Sequence, residues 1–95
     1  MPPIKKKRNC SCVLNATYFK PQGIPLRDLN IIELEIDEVE ALRLTHIENL
    51  SQLECGKQMN VSRQTVQRTL EIAHKKITRA LISGYAIKIN LPENK

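Results

Sequence analysis

The stretch "SRQTVQRTLEIAHKKITR", Ser62 to Arg79, places two arginines and two glutamines within residues 63–68, directly behind a serine. A guanidinium can donate a pair of hydrogen bonds to guanine O6 and N7, and a carboxamide can pair with adenine N6 and N7. Arg63, Gln64, Gln67 and Arg68 are therefore the side chains that a reader of base edges in the major groove needs. Around them, Ser62, Thr65, Lys57, Lys75, Lys76 and Arg79 suit phosphate oxygens, which set register without reading sequence. Near the N-terminus, the consecutive cations Lys5, Lys6, Lys7 and Arg8 suit a minor groove or the phosphate backbone, as the arms of DNA-binding domains do. A disordered solubilising tail would have the same composition. Taken singly, Arg and Gln are ordinary occupants of a solvated helix face, with good helix propensity.

Such side chains act together only if a rigid rod carries them, and the local signals for one are strong. Ser51 with Glu54 forms a capping box that opens a short helix ending near Met59. Asn60, one of the few non-glycine residues that tolerates positive φ, makes a turn. Ser62 then caps a second, longer helix that Gly84 ends, with Val61 before the cap and Val66 inside it forming a hydrophobic staple. Helix, short turn, helix is the spacing of a helix-turn-helix, in which Gly56 allows close crossing, Val61 fills the corner, and Val66 and Leu70 pack the second helix on the first. At about 100° per residue, Val66, Leu70, Ala73 and Ile77 fall within an inner arc of about 60°. Arg63, Gln64, Gln67, Arg68, Glu71, His74 and Lys75 occupy much of the opposite arc. Caps, turn, small crossing residue and leading cations occurring together favour DNA over a merely solvated face.

The rest of the chain frames this unit. Ninety-five residues with 41% hydrophobic content suit one small domain, too small for a deep catalytic cleft. The net charge of +5 is divided: residues 1–20 carry +5, residues 21–49 carry −5 and residues 50–95 carry +5. Two basic blocks flanking an acidic one favour a polyanion on one face. Residues 1–25 read as a basic arm and Pro-pinned extended segment, with Tyr18, Phe19 and Ile24 apolar enough to dock on a core, and residues 26–95 as a single helix-turn-helix domain. Leu26 to Leu29 is read as one helical turn. "NIIELEID" and "YAIKINLP" both alternate with the period of short half-buried strands. A two-stranded ribbon between them would let Glu33 or Glu35 face Lys88, either within one chain or between two. Asp37 with Glu40 predicts a capping box for a first helix, "VEALRLTHI", which Asn49 stops in a left-handed conformation. The fold class expected is mainly α: a three-helix core with a helix-turn-helix, a small two-stranded β-ribbon and a basic N-terminal arm.

Residues 37–81, with Leu50-Ser51 before the short helix, Val61-Ser62 at the corner, then Thr65-Val66, Leu70, Ala73 and Lys75-Lys76-Ile77, resemble region 4 of bacterial sigma factors. That region reads the promoter −35 element. The whole chain, including "YFKPQGIPL" and "SGYAIKI", is similar to uncharacterised protein family 0251, small proteins predicted to bind DNA. Asn60 stands where the pattern usually has glycine, and Cys55 where an aliphatic residue or alanine is commoner. Nothing resembles the sigma regions that bind core polymerase and melt the promoter, which argues against a complete sigma factor. The resemblance implies a helix-turn-helix and DNA binding, and is silent on any regulated gene.

Other chemistries fare less well. Cys10-x-Cys12, with Cys55, His46 or His74, has the donors for a soft metal but not the two to four intervening residues that zinc knuckles and ribbons favour. No metal site and no cofactor is expected. His74 is read as lying near phosphates, and His46 near the negative end of the first helix. An odd number of cysteines, three in all, does not suit a secreted disulfide framework. The chain has neither a nucleophile motif nor a glycine-rich phosphate loop, so catalysis is not expected. No apolar run reaches membrane-spanning length, no signal peptide is evident, and the expected compartment is the cytoplasm. The function expected is sequence-specific binding of double-stranded DNA by a transcriptional regulator. A homodimer is expected, since one helix reads only a few base pairs. The runner-up is a protein-interaction module that mimics sigma region 4 and touches RNA polymerase or another regulator through its acidic Glu33 to Glu48 surface.

Overall fold

The computed structural model describes Leu14 and residues 16–91; the Lys5 to Arg8 run and Cys10-x-Cys12 lie outside the described residues. The chain forms strand β1 (Tyr18–Phe19), a single 3-10 turn (Leu26–Asp28), strand β2 (Ile31–Glu35), helix α1 (Ile36–Leu42), a π turn (Arg43–Ile47), helix α2 (Gln52–Met59), helix α3 (Arg63–Ser83) and strand β3 (Ala86–Asn90). Over the described residues the fold is mainly helical, with three helices and one small sheet. No helix among the described residues is long and apolar enough to cross a membrane.

The ribbon expected from the two alternating segments is present, within one chain, but it belongs to a three-stranded sheet of order β1-β3-β2. β2 and β3 run parallel, with Glu33 opposite Lys88 and Leu34 opposite Ile89. Parallel neighbours need a long crossover, and here α1, α2 and α3 together supply it. The added strand is β1, antiparallel on the other edge of β3, with Tyr18 opposite Lys88 and Phe19 opposite Ile87. Two residues are too few for an alternating pattern to announce a strand, and their rings remain 44% and 54% exposed, so backbone pairing rather than burial recruits them. Glu33 and Glu35 turn their carboxylates to the Asn90 side-chain amide, which donates to both at 3.0 and 3.1 Å.

Helix α1 begins earlier than Asp37 predicts. Glu35 is its N-cap residue, and the reciprocal acceptor is Glu38, whose Oε1 takes the Glu35 N–H at 2.9 Å, so the box is shifted two residues from the expected Asp37 and Glu40 pair. The reason is tertiary. Glu38 is buried, and its carboxylate receives the Lys76 ammonium of α3 at 2.9 and 3.1 Å. Glu40 is also buried, gripped by two guanidinium nitrogens of Arg43 at 3.3 and 3.1 Å, while Arg43 reaches Glu48 with its remaining nitrogen at 3.2 Å. After Leu42 the helix widens: Glu48 N–H donates back five residues to Arg43 at 3.1 Å, and Asn49, at φ 61°, ends the run in the left-handed region as expected.

Two apolar clusters share α3. One gathers Ala41, Leu44, Cys55, Val66 and Leu70, and packs the front half of α3 on α1 and α2. The other gathers Leu34, Ile36, Ala73 and Ile89, with Ile77 and Ile87 at its border, and packs the rear half of α3 on the sheet. Leu42 touches both clusters and joins them. The helix thus uses one continuous stripe to hold its front against helices and its back against strands.

Candidate nucleic-acid interface

The exposed face begins at the turn between α2 and α3. Ser51 Oγ accepts the Glu54 N–H at 3.1 Å and Glu54 Oε1 accepts the Ser51 N–H at 3.0 Å, the reciprocal box expected at the start of α2. At the other end of α2, Asn60 adopts φ 64° and ψ 43°, and the Val61 N–H returns to the Gly56 carbonyl at 2.9 Å. The six-residue closure with a left-handed residue inside it satisfies carbonyls that would otherwise be orphaned at the helix end. The same closure brings chain against chain: a Cβ built on Gly56 would lie 2.6 Å from the Val61 carbonyl oxygen. Glycine at this position is a steric requirement of the crossing.

The corner itself differs from expectation. Val61 is 39% exposed and does not fill it; Cys55, fully buried, and the backbone contact at Gly56 do. The Cys55 thiol lies 3.4 Å from the Thr45 hydroxyl, within reach of a weak sulfur hydrogen bond that an aliphatic side chain could not make.

Ser62 stands at φ −75° and ψ 161°, and its Oγ accepts the Thr65 N–H at 3.1 Å while sharing a 3.0 Å hydroxyl contact with Thr65 Oγ1. From this cap α3 runs unbroken to Gly84, whose φ of 72° permits the Tyr85 N–H to close on Ala80 at 3.0 Å. Val66, Leu70, Ala73 and Ala80 are buried and Ile77 is half-buried, while Arg63, Gln64, Gln67, Arg68, Glu71, His74 and Lys75 are exposed, as the helical wheel predicts. Among the described residues, Arg63, Gln64, Gln67 and Arg68 make no side-chain hydrogen bond or ion pair. All four polar tips are therefore free to meet a ligand from one edge of a fixed rod. Lys57 on α2 and Lys75 and Arg79 on α3 are also exposed. Ile72, outside the inner stripe, is 42% exposed.

Lys76 departs from the set. Its ammonium donates to the Glu33 carbonyl at 2.8 Å as well as to both Glu38 oxygens, which turns it toward the sheet and α1. At about 100° per residue it falls on the flank of α3 beside the buried stripe rather than on the outer arc. His46 and His74 were expected in separate surroundings, yet their Nε2 atoms meet at 3.1 Å. They stand 28 positions apart in the sequence, and no local signal announces the meeting.

Fold and exposed edge together define a mainly helical domain built on two helices joined by a tight turn, backed by a three-stranded sheet. Residues 3–94 match the family described as "Protein of unknown function DUF134", and the chain belongs to that family. It is 42% identical over 95 residues to a UPF0251 protein of Shewanella baltica, covering 100% of this chain and 97% of that one. Against a UPF0251 protein of Vibrio vulnificus the identity is 43% over 89 residues, covering 94% and 89%. A UPF0251 protein of Halothermothrix orenii is 49% identical over 83 residues, covering 87% of this chain but 62% of the relative. The chain likewise spans 52% of the length of a relative from Methanocella arvoryzae. No solved structure matches the chain.

Proposed function

We propose that the protein binds double-stranded DNA sequence-specifically and regulates transcription, with α3 entering the major groove from its Ser62 end. The observation that carries this reading is the four unpartnered tips of Arg63, Gln64, Gln67 and Arg68 on the first two turns of a capped, doubly packed helix. Arg and Gln placed there match the hydrogen-bonding edges of guanine and adenine. Lys57, Lys75 and Arg79, with Ser62 and Thr65 at the helix front, take the phosphates beside the groove. Lys76 is left out of that role because Glu38 already neutralises it. The Lys5 to Arg8 run supplies further phosphate contacts, and a homodimer lengthens the site to two half-sites.

The alternative, docking on RNA polymerase or another regulator through the acidic Glu33 to Glu48 region, is weakened by what that region does inside the fold. Glu38 and Glu40 are buried and ion-paired, and Glu48 is paired with Arg43, so much of the negative charge is neutralised within the molecule. Selection of bound duplexes from a random library at near-physiological salt tests the proposal. An enriched motif is the expected result. Recovery of random sequence, with polymerase captured from lysate, would replace it with the alternative.

A further inference from the structure

His46 sits in the π turn that follows α1, and His74 at the start of the fourth turn of α3. Their Nε2 atoms are 3.1 Å apart, the ring centres 5.3 Å apart and the planes inclined by 48°, and both side chains are exposed. Two features of the fold make the meeting. The π turn carries one more residue per hydrogen-bonded ring than an α turn, which displaces the residues after Leu42 around the axis; Thr45 is thereby directed to Cys55 and His46 to α3. On α3, His74 lies at the margin of the outer arc nearest the buried stripe, the side that faces the end of α1.

The pair is a hydrogen bond in which one ring donates and the other accepts, the roles set by the tautomers. The same two nitrogens are also spaced as ligands of one metal. Imidazole nitrogens about 2.05 Å from a shared ion stand about 2.9 Å apart at a right angle and about 3.3 Å apart at a tetrahedral angle. The observed 3.1 Å lies between. The rings point nearly head-on, so a shared ion requires each exposed ring to rotate until both lone pairs converge on a point outside the N···N line.

We propose that His46 and His74 form a two-imidazole site for a divalent late first-row transition ion, Zn²⁺, Ni²⁺ or Cu²⁺, open to solvent on its outer side. Among the described residues no third His, Cys, Asp or Glu completes a ligand group of three, so water fills the remaining positions. Imidazole selects these ions over Mg²⁺ and Ca²⁺, which prefer oxygen. The bound ion would staple the turn after α1 to the fourth turn of α3. Because the two ligands lie in segments that separate on unfolding, binding stabilises the folded state by mass action. The proposal stands on ring geometry alone and does not depend on the nucleic-acid reading.

The test is calorimetric titration with Ni²⁺ of untagged full-length protein carrying Cys10→Ser and Cys12→Ser, so that the N-terminal thiols cannot contribute. One saturable site per chain is expected, lost in His46→Gln and equally in His74→Gln. At a free Ni²⁺ concentration about a hundredfold above Kd, the ratio of folded to unfolded protein should rise about a hundredfold. Absence of saturable binding, or binding that survives either histidine substitution, overturns the proposal. Should any variant fail to fold, the unsubstituted reduced chain is followed by histidine ¹⁵N resonances during Zn²⁺ addition. Joint movement of the His46 and His74 Nε2 signals supports the site, and stationary signals overturn it.

Discussion

Replacing Gly56 with alanine tests the geometry that the proposed reading edge relies on. The new methyl carbon would lie 2.6 Å from the Val61 carbonyl oxygen and 3.4 Å from the Ser62 carbonyl carbon, both backbone atoms that cannot rotate away. Relief requires the start of α3 to move off α2, which strains the 2.9 Å bond from the Val61 N–H to the Gly56 carbonyl. Overpacking of this kind costs about 1–3 kcal/mol, and a weakened backbone bond adds up to about 1 kcal/mol. Against this, alanine gains about 0.8–1.0 kcal/mol over glycine inside a helix. The terms sum to a destabilisation of about 0–3 kcal/mol, and its centre, about 1.5 kcal/mol, lowers the melting temperature of a domain of this size by about 6–12 °C. Thermal unfolding followed by far-UV circular dichroism measures it, with Gln58→Ala, exposed on the same helix, as the control that should stay within about 0.5 kcal/mol of the parent. A Gly56→Ala protein as stable as the parent, or more so, would show that helix propensity outweighs the contact and that the crossing is not tight.

The remaining expectations concern charge and recognition. Lys76→Met removes the ammonium from Glu38 and leaves a buried carboxylate held by the Glu35 N–H, so urea unfolding should report a loss of about 1–2 kcal/mol; adding Glu38→Gln to that variant should recover part of it. Arg63→Ala with Gln64→Ala should leave the melting temperature nearly unchanged, since both side chains are exposed and unpartnered. In competition binding against random duplex, the same pair should erode discrimination by about 1–3 kcal/mol for each base pair read. Deleting residues 1–9 should flatten the slope of log K against log salt by about 0.9 for each phosphate the arm neutralises, and an unaltered slope would assign the arm no part in binding.

The placement of α3 also explains why its polar edge can be rigid in so short a chain. A helix packed only on α2 would be free to rock about the Asn60 turn. Here Val66 and Leu70 bind its front to α1 and α2, Ala73 and Ile77 bind its rear to the sheet, and Lys76 adds an ion pair to the start of α1. The backbone of such a support loses little further freedom on meeting a ligand, which is how preorganisation strengthens binding, while the exposed Arg and Gln side chains still lose rotamer freedom.

Much of this unit was readable from one dimension. The cap at Ser51 with Glu54, the left-handed turns at Asn49 and Asn60, the cap at Ser62, the stop at Gly84 and the division of α3 into an inner and an outer face all follow from interactions spanning a few residues, which a sequence records directly. Tertiary structure decided the rest. It set the parallel pairing of β2 with β3 and the recruitment of β1, because strand partners are chosen by contacts across the whole chain. It moved the capping box of α1 from Asp37 and Glu40 to Glu35 and Glu38, because Lys76, 38 residues away, draws the Glu38 carboxylate inward. By the same means it withdrew Lys76 from the phosphate-contacting set and brought His46 to His74. Local bonding rules act over one helical turn, whereas these pairings depend on which turns the folded chain lays side by side.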